Sequence, residues 1–315
     1  MNPILRRCLA LALTLVVAFS TVAAWNLSQE KALSAMVPQN APPIEMVVLM
    51  YHGIMKRESR AGAYIITPAA LEQDLKYIQK EGFNTVVMED IIAYVHEGRP
   101  LPEKPIMITF DDGYYNNYLY AFPLLKKYNM KAVISIIGSE TDKFTNLPND
   151  VSESYSHMTW PMIQEMIDSG LVEFQSHSYN LHKVGKSRKG CGKSSSESDS
   201  QYQAVLREDL GKLQNRYAEM VQIIPTTFTY PFGTVSKLSY DVLKEMGFRA
   251  SLDAQGKIFY LTRDEECLWR IPRYNRPWGT TAQKIITKAY STAQSNQKKN
   301  SISAFFSQWK LPFFE

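Results

Sequence analysis

The chain has 315 residues, 45% of them hydrophobic and 21% charged, and carries a formal net charge of +4 at pH 7. This composition supports a full hydrophobic core and excludes an intrinsically disordered chain. The positive charge is small and dispersed, without a basic stripe interleaved with aromatic residues, so the sequence argues against nucleic acid as a partner.

The N-terminus has the pattern of an export signal. Two arginines precede an apolar run at residues 8–24, which ends in the small residues STVAA. The length of the run fits both a cleaved signal and a retained anchor, so both outcomes stay open. We therefore predict that residues 1–26 are a signal peptide or an N-terminal membrane anchor and that residues 27–44 are a linker. In either case the following domain is expected outside the cytoplasm, secreted or attached to the outer face of the membrane.

Two cysteines remain beyond this segment. Cys191 and Cys267 permit one disulfide bond without requiring it. Cys191 lies in a segment rich in Gly, Ser and Lys, residues 183–201, which argues against a catalytic cysteine. This segment is expected to form a mobile rim that shapes substrate access.

Strand and helix patterns alternate along residues 45–280, which predicts parallel strands covered by helices. The clearest helix pattern has Thr67 as its cap and Pro68 in its first turn. The predicted strands are residues 45–51, 84–88, 105–110, 131–138, 171–176, 226–231, 248–253 and 268–273. The predicted helices are residues 67–82, 115–128, 160–169, 201–220 and 235–246. This many units indicates an α/β fold, a closed or nearly closed barrel of seven or eight parallel strands. Residues 281–315 are predicted to add a C-terminal helix and tail.

Chemically active side chains follow the ends of three predicted strands. His52, the pair Asp111 and Asp112, and His177 each stand at such an end, and a fourth strand ends in the turn YPFG at residues 230–233. Parallel barrels collect their chemistry at the C-terminal ends of the strands. These residues are therefore expected to meet at one rim.

One aspartate and two histidines predict a metal site. Adjacent aspartates point in different directions, so one can bind a metal while the other faces a substrate water. His177 and His182 are five residues apart, and they converge only where the chain is irregular, because on a helix they would lie about 140° apart. Such a set leaves open positions on a divalent ion, with Zn²⁺ the favoured one.

Three motifs in a fixed order carry a family resemblance. They are TFDDG at residues 109–113, SHSYNLH at residues 176–182 and YPFG at residues 230–233. Together they resemble the polysaccharide deacetylases of carbohydrate esterase family 4, also called the NodB-homology domain, over roughly residues 45–280. The resemblance implies a distorted (β/α) barrel, a divalent metal and removal of acetyl groups from N-acetylhexosamine polymers.

The resemblance also implies residue roles. Asp111 would be the general base, Asp112, His177 and His182 would be the metal ligands, and the backbone amide of Phe232 would stabilise the oxyanion. The stretch LMYHGI resembles the circularly permuted branch exemplified by poly-N-acetylglucosamine deacetylases, in which the first strand supplies the acid histidine. His52 fits that role.

The chain departs from the common family pattern at three points. Its metal histidines are five apart where the common form has four, Thr229 stands where that form has an arginine, and no histidine follows His182. The missing arginine is expected from the stretch WRIPRYNRP, with Arg273 preferred to Arg270 for orienting Asp111. Tyr114, Trp160, Tyr230 and Pro231 are expected to contact the substrate.

The sequence thus predicts an exported metal-dependent hydrolase that removes acetyl groups from N-acetylglucosamine units of a cell-wall or extracellular polysaccharide. Two alternatives stay open. One is a non-catalytic polysaccharide-binding module on the same scaffold. The other is a deacetylase or esterase of another exported acetylated substrate, such as an acetylated peptide or xylan.

Overall fold

The computed structural model describes residues 36–147 and 151–308, and residues 299–308 as backbone only. The predicted signal or anchor at residues 1–26 lies outside the described residues, as does the first half of the predicted linker, residues 27–35. Within the described part of the chain, no helix is both long and apolar enough to cross a membrane.

Strands and helices alternate over most of the chain. The strands are β1 Ile44–Tyr51, β2 Gly53–Ile54, β3 Ile65–Ile66, β4 Asn84–Thr85, β5 Pro105–Phe110, β6 Ala132–Ile136, β7 Val172–Ser176, β8 Thr227–Thr229, β9 Ala250–Leu252, β10 Phe259–Leu261 and β11 Tyr274–Asn275. The α-helices are α1 Pro68–Lys80, α2 Met88–Glu97, α3 Phe122–Tyr128, α4 Gly138–Asn146, α5 Trp160–Asp168, α6 Asp199–Val221, α7 Ser239–Glu245 and α8 Ala282–Gln308. A π-helical turn at Asn117–Ala121 leads into α3, and a 3₁₀ turn forms at Pro231–Gly233.

The main sheet is mostly parallel and curls into a distorted barrel. Its strand order is β10-β1-β5-β6-β7-β8-β9, with β4 beside β5 and β11 beside β1. All of these pairings are parallel except that of β1 with β10. All six residues of β5 are buried, as expected for a parallel strand covered on both faces. The predicted (β/α) barrel is confirmed, with the antiparallel β10 as an unpredicted addition.

A short segment joins the two ends of the parallel sheet. Ile271 bridges to Leu252 on β9, and β11 pairs with β1, so residues 271–275 lie between β1 and β9. The predicted strand at residues 268–273 is wrong in its bounds, because Glu265–Leu268 form a 3₁₀ turn and regular pairing starts only at Tyr274. We call residues 271–276 the closing segment.

Local signals explain where the best-predicted helices begin. The Thr67 hydroxyl accepts a hydrogen bond from the amide of Ala70, with Pro68 at the first helical position of α1. Ser198 caps α6 in the same way, and Gln201 completes a capping box. The helices α2 and α4 were not predicted. The strand predicted at residues 84–88 is shorter than expected because α2 already begins at Met88.

A buried ion pair anchors the closing segment. The Arg276 guanidinium Nε lies 2.6 Å from Asp74 Oδ2, and both side chains are almost completely buried. Asp74 also accepts hydrogen bonds from the hydroxyl of Tyr51 and from the amide of Ala282 at the start of α8. One carboxylate therefore ties together α1, β1, α8 and the closing segment.

We expect Arg276→Met to destabilise the fold by about 3–5 kcal/mol, because it leaves the Asp74 carboxylate buried without its cation. Urea unfolding measures this loss. The control is Lys127→Met, which removes the cation of the solvent-exposed pair with Glu72 and should change stability little. Equal effects of the two substitutions would contradict the anchoring role.

Candidate active site

Four strands of the parallel sheet bring the predicted site residues to one rim of the barrel. His52 follows β1, Asp111 and Asp112 follow β5, His177 follows β7, and the YPFG turn follows β8. These strands run parallel, so their carboxyl ends open on the same side. There they surround a cavity of about 320 Å³, which we call the catalytic cavity. It is lined by Met50, His52, Tyr64, Asp111, Asp112, Tyr114, His177, His182, Lys189, Tyr230, Phe232, Gly233, Ala254 and Arg273.

Asp112 faces two imidazoles. Its Oδ1 atom lies 3.4 Å from Nε2 of His177 and 3.3 Å from Nε2 of His182. One ligand atom from each of the three residues lies within 4.8 Å of the others, as metal coordination requires. His182 reaches the group because Ser178 turns the chain with a φ of 74°, so the stretch after β7 is irregular as predicted.

The hydrogen bonding of these residues fits a divalent ion. Nδ1 of His177 lies 2.8 Å from the carbonyl oxygen of Thr229. A carbonyl only accepts, so we assign the proton to Nδ1, which leaves the Nε2 lone pair directed at Asp112. Oδ1 of Asp112 is buried and has no hydrogen-bond donor among the described residues. The lone pairs of Asp112 Oδ1 and His177 Nε2 thus face each other without a proton donor, which is the arrangement of metal ligands around a cation.

The pKa directions of Asp112 and His177 agree with this demand for positive charge, whereas burial and the charge of His177 lower the pKa of His182. Burial alone would raise the pKa of Asp112, but the adjacent His177 and the charges of the other histidines hold it well below its ordinary value. Burial alone would lower the pKa of His177, yet Asp112 and Asp111 raise it. The site therefore stabilises positive charge between the carboxylate and the imidazoles.

A glycine sets the direction of the Asp112 side chain. Asp112 and Gly113 both have a φ of 73° in the left-handed region. A Cβ atom on Gly113 would lie 2.7 Å from Cγ2 of Ile136 on β6. The glycine of TFDDG is thus needed for close packing against β6 as well as for its backbone conformation.

Asp111 is held by a different cation. Two guanidinium nitrogens of Arg273 donate to its two carboxylate oxygens at 2.6 and 2.8 Å. Arg273 is itself buried and donates through Nε to the carbonyl of Asp253. Burial would raise the pKa of Asp111, but the charge and hydrogen bonds of Arg273, with the charge of His177, lower it. Asp111 is thus ionised and fixed in orientation.

The structure distinguishes Arg273 from the other candidate arginine. Arg270 pairs with the carboxylate of Asp253, with Nε and Nη2 at 2.9 and 2.8 Å from Oδ2. Arg273 reaches Asp111 because the closing segment carries it between β9 and β1.

His52 faces the free side of Asp111. Its Nε2 atom lies 3.9 Å from Oδ2 of Asp111, and its Nδ1 atom is buried without a hydrogen-bond partner in the described chain. Burial lowers the pKa of His52, while the charges of Asp111 and Asp112 act in the opposite direction. The ring of Tyr64 packs edge-on against the imidazole, with ring centres 4.7 Å apart.

The aromatic residues expected at the substrate divide into two groups. Tyr114, Tyr230 and Phe232 line the catalytic cavity, and the exposed Phe232 ring lies 4.2 Å from that of His182. Trp160 was wrongly expected there: it is 1% exposed, and its indole Nε1 donates to Asp142. Trp160 packs in the core against Tyr217, so it has no free face for a sugar.

Pro231 is a second correction. Its ring is buried inside the 3₁₀ turn and does not line the catalytic cavity. Its fixed φ supports the turn, in which Phe232 adopts a φ of 58°. The proline therefore shapes the rim without touching a substrate.

The loop at residues 183–201 packs on this turn. Gly190 lies so close to Pro231 that a Cβ atom would come within 2.7 Å of the proline carbonyl. Cys191 is buried, and its carbonyl accepts a hydrogen bond from the Tyr202 hydroxyl at 2.8 Å. Cys191 and Cys267 are both free thiols. The loop that was expected to be a mobile rim is thus packed against the protein at Gly190 and Cys191. It contributes Lys189 to the catalytic cavity.

Sequence reasoning missed two notable residues of the catalytic cavity, Tyr64 and Lys189. Both lie outside the three motifs, and neither stands at a strand end. For Lys189, the only sequence signal of a place in the site was that its basic loop directly follows His182. Tyr64 has no signal of its own.

With this geometry in place, the chain can be compared with known proteins. The model of the polysaccharide deacetylase family matches residues 98–251. This part of the chain is similar to a polysaccharide deacetylase domain. This match includes Asp111, Asp112, His177, His182 and the YPFG turn, whereas His52 and Arg273 lie outside the matched range.

The chain is also similar in sequence to individual proteins. The chain is 25% identical over 233 residues to the poly-β-1,6-N-acetyl-D-glucosamine N-deacetylase of Escherichia coli (strain K12), covering 68% of this chain and 34% of the relative. The chain thus spans about a third of the length of that protein.

Two solved structures extend the comparison. The BpsB deacetylase domain from Bordetella bronchiseptica is 28% identical with a TM-score of 0.62, covering 75% of this chain and 97% of that one. IcaB from Ammonifex degensii is 25% identical with a TM-score of 0.61, covering 74% and 92%. The predicted resemblance to the poly-N-acetylglucosamine deacetylase branch is confirmed.

We expect His177→Ala and Asp112→Ala each to weaken zinc binding by more than about 100-fold. Loss of an outer hydrogen-bonding partner of a ligand already costs about 10–100-fold in affinity, and these substitutions remove a ligand itself. Zinc titration of the purified domain measures the change. His96→Ala, at an exposed histidine on α2, is the matched control, and a similar loss in that variant would contradict the assigned site.

Proposed function

We propose that the protein is an exported, metal-dependent N-deacetylase of N-acetylglucosamine units in a cell-wall or extracellular polysaccharide. The main support for this proposal is that two adjacent carboxylates in one cavity have different partners. Asp111 is bound to Arg273, while Asp112 faces His177 and His182. The names of the relatives, which are deacetylases of poly-N-acetylglucosamine, support the substrate class.

Asp112, His177 and His182 would hold the metal, for which this donor set favours Zn²⁺. A bound divalent ion would lower the pKa of water and polarise the acetamide carbonyl. Thr229 holds His177 in the tautomer that such a ligand needs, through its backbone carbonyl.

Asp111 would act as the general base. Arg273 occupies both carboxylate oxygens from one side and keeps the group ionised, so that it accepts a proton from the water that attacks the acetyl carbon. The proton taken up by Asp111 would pass to His52, whose Nε2 lies 3.9 Å from Asp111 Oδ2, and the protonated His52 would donate it to the amide nitrogen as the carbon–nitrogen bond breaks. The products are acetate and the free amine of the sugar.

The YPFG turn would stabilise the oxygen of the attacked carbonyl. Phe232 lines the catalytic cavity, and its backbone amide would be the donor. One preorganised donor of this kind contributes about 3 kcal/mol to transition-state stabilisation. The aromatic rings of Tyr114 and Phe232 would provide the apolar wall for the acetyl methyl group and the sugar.

The signal peptide or membrane anchor predicted at residues 1–26 motivates the proposed location. A polysaccharide of the cell surface lies beyond the cytoplasmic membrane, so its deacetylase must be secreted or anchored at the outer face. The proposal requires a substrate polymer on the same side of the membrane as the domain.

Acetate release from β-1,6-linked and β-1,4-linked N-acetylglucosamine oligomers tests this proposal. Release should stop when a chelator removes the metal and return when zinc is added. Asp111→Asn should lower kcat by at least about 100-fold, because a neutral amide cannot accept the proton, and should retain the metal.

Asp168→Asn, the same exchange at an exposed position on α5, is the matched control and should keep full activity. Acetylated xylan and an acetylated peptide are included as competing substrates. Acetate release from xylan or the peptide alone would contradict the proposal. Acetate release from the oligomers that survives both the chelator and Asp111→Asn would also contradict it.

A further inference from the structure

Two asparagines that follow the TFDDG motif bind the backbone around His52. The side-chain amide of Asn117 donates through Nδ2 to the carbonyl oxygen of His52 at 2.7 Å. The side-chain oxygen of Asn116 accepts from the backbone amide of Ile54 at 2.8 Å. Both asparagines are completely buried. We call residues 52–54 the acid segment, after the role proposed for His52.

The backbone of the acid segment determines how each side-chain amide is turned. A carbonyl oxygen only accepts, so Asn117 must direct its NH₂ group at His52. A backbone amide only donates, so Asn116 must direct its oxygen at Ile54. The NH₂ group of Asn116 is then free to donate to the carbonyl of Glu153, at 2.9 Å. Asn117 therefore acts on His52 as a hydrogen-bond donor, which no apolar side chain can do.

The imidazole of His52 has little else to hold it. Its Nδ1 atom is buried without a hydrogen-bond partner among the described residues. Its Nε2 atom is 3.9 Å from Oδ2 of Asp111, too far for a hydrogen bond. The Tyr64 ring packs edge-on against it, but Tyr64 is itself 60% exposed. The position of the imidazole therefore depends on the backbone that carries it.

Asn117 connects that backbone to the stretch that carries the proposed general base. The backbone amide of Asp111 donates to the carbonyl of Tyr51 at 3.0 Å. The side chain of Asn117 donates to the carbonyl of His52, the next residue along β1 and the acid segment. Both ends of residues 111–117 thus bind consecutive carbonyls of the chain that carries His52. This double attachment fixes the separation of His52 from Asp111.

We propose that Asn117 is a positioning residue that holds His52 at the distance from Asp111 that proton transfer requires. This inference rests on the proposed function, in which a proton passes from Asp111 to His52 and then to the amide nitrogen. Asn117 does not line the catalytic cavity, so it acts through His52 and not on the substrate. A misplacement of about 1 Å in a catalytic group lowers the rate by about 100-fold.

The test compares two substrates whose leaving groups differ. The amine of N-acetylglucosamine must be protonated as it leaves, whereas 4-nitrophenyl acetate releases a 4-nitrophenolate anion without a proton. The readout is the ratio of kcat on a β-1,6-linked N-acetylglucosamine trisaccharide to kcat on this ester. Loss of the general acid lowers the ratio, whereas loss of the metal or of the fold lowers both rates together.

Asn117→Ala and Asn117→Leu should each lower this ratio by about 10- to 100-fold. The first variant leaves space and the second fills it, so the pair separates loss of the donor from a packing defect. The KM for the trisaccharide and the affinity for zinc should stay unchanged. Asn215→Leu, at an exposed asparagine on α6, is the matched control and should keep the ratio of the unmodified protein.

A double-mutant cycle with His52→Ala shows whether Asn117 acts through His52. His52→Ala should itself lower the ratio, because the general acid is gone. Adding Asn117→Ala to that variant should lower the ratio no further, because no imidazole is left to position.

Three results would overturn the inference. If both Asn117 variants keep the ratio of the unmodified protein, other contacts position His52, and any parallel fall of the two rates reflects a structural role. If Asn117→Ala lowers the ratio equally with and without the imidazole, Asn117 does not act through His52. If the unmodified protein cleaves the ester but releases no acetate from any oligomer, the proposed function fails, and with it the role that Asn117 would support.

Discussion

Two carboxylates stand side by side at the end of β5, and each needs its own source of positive charge. Asp111 and Asp112 are both almost fully buried. Two adjacent carboxylates raise each other's pKa unless cations compensate their charge. Arg273 supplies that charge to Asp111. The imidazoles of His177 and His182 face Asp112, and the divalent ion that we propose between them would supply its positive charge.

The barrel places these cations where the carboxylates require them. The parallel neighbours β5, β6, β7 and β8 deliver Asp112, His177 and the Thr229 carbonyl to one rim. The closing segment runs between β9 and β1 and brings Arg273 from the other side. The buried pair of Asp74 with Arg276 anchors this segment three residues after Arg273. Stability and proposed chemistry therefore depend on the same short stretch of chain.

Sequence patterns were sufficient for the parts of the site that strand ends determine. Apolar runs followed by His52, Asp111 and His177 predicted one rim, because parallel strands end on one side. Periodicity could not separate a core aromatic from a wall aromatic, so Trp160 was misplaced. Nor could it decide between Arg270 and Arg273, because that choice depends on a turn in which Arg270 adopts a φ of 62°.

Other features had no local signal at all. The helix α4 begins with Gly138 and contains Thr and Asn, which are weak helix formers, so tertiary packing determines it. Tyr64 and His157 lie on loops and reach the site only through contacts with residues distant in sequence.

A crystal structure of the zinc-loaded protein, with anomalous diffraction to locate the metal, tests whether the two adjacent aspartates have separate roles. We predict one zinc ion at about 2.0–2.2 Å from a carboxylate oxygen of Asp112 and from Nε2 of His177 and His182. Asp111 should remain paired with Arg273, outside the coordination sphere. Zinc bound by Asp111, or zinc located away from the two imidazoles, would show that the aspartates do not divide their roles in this way.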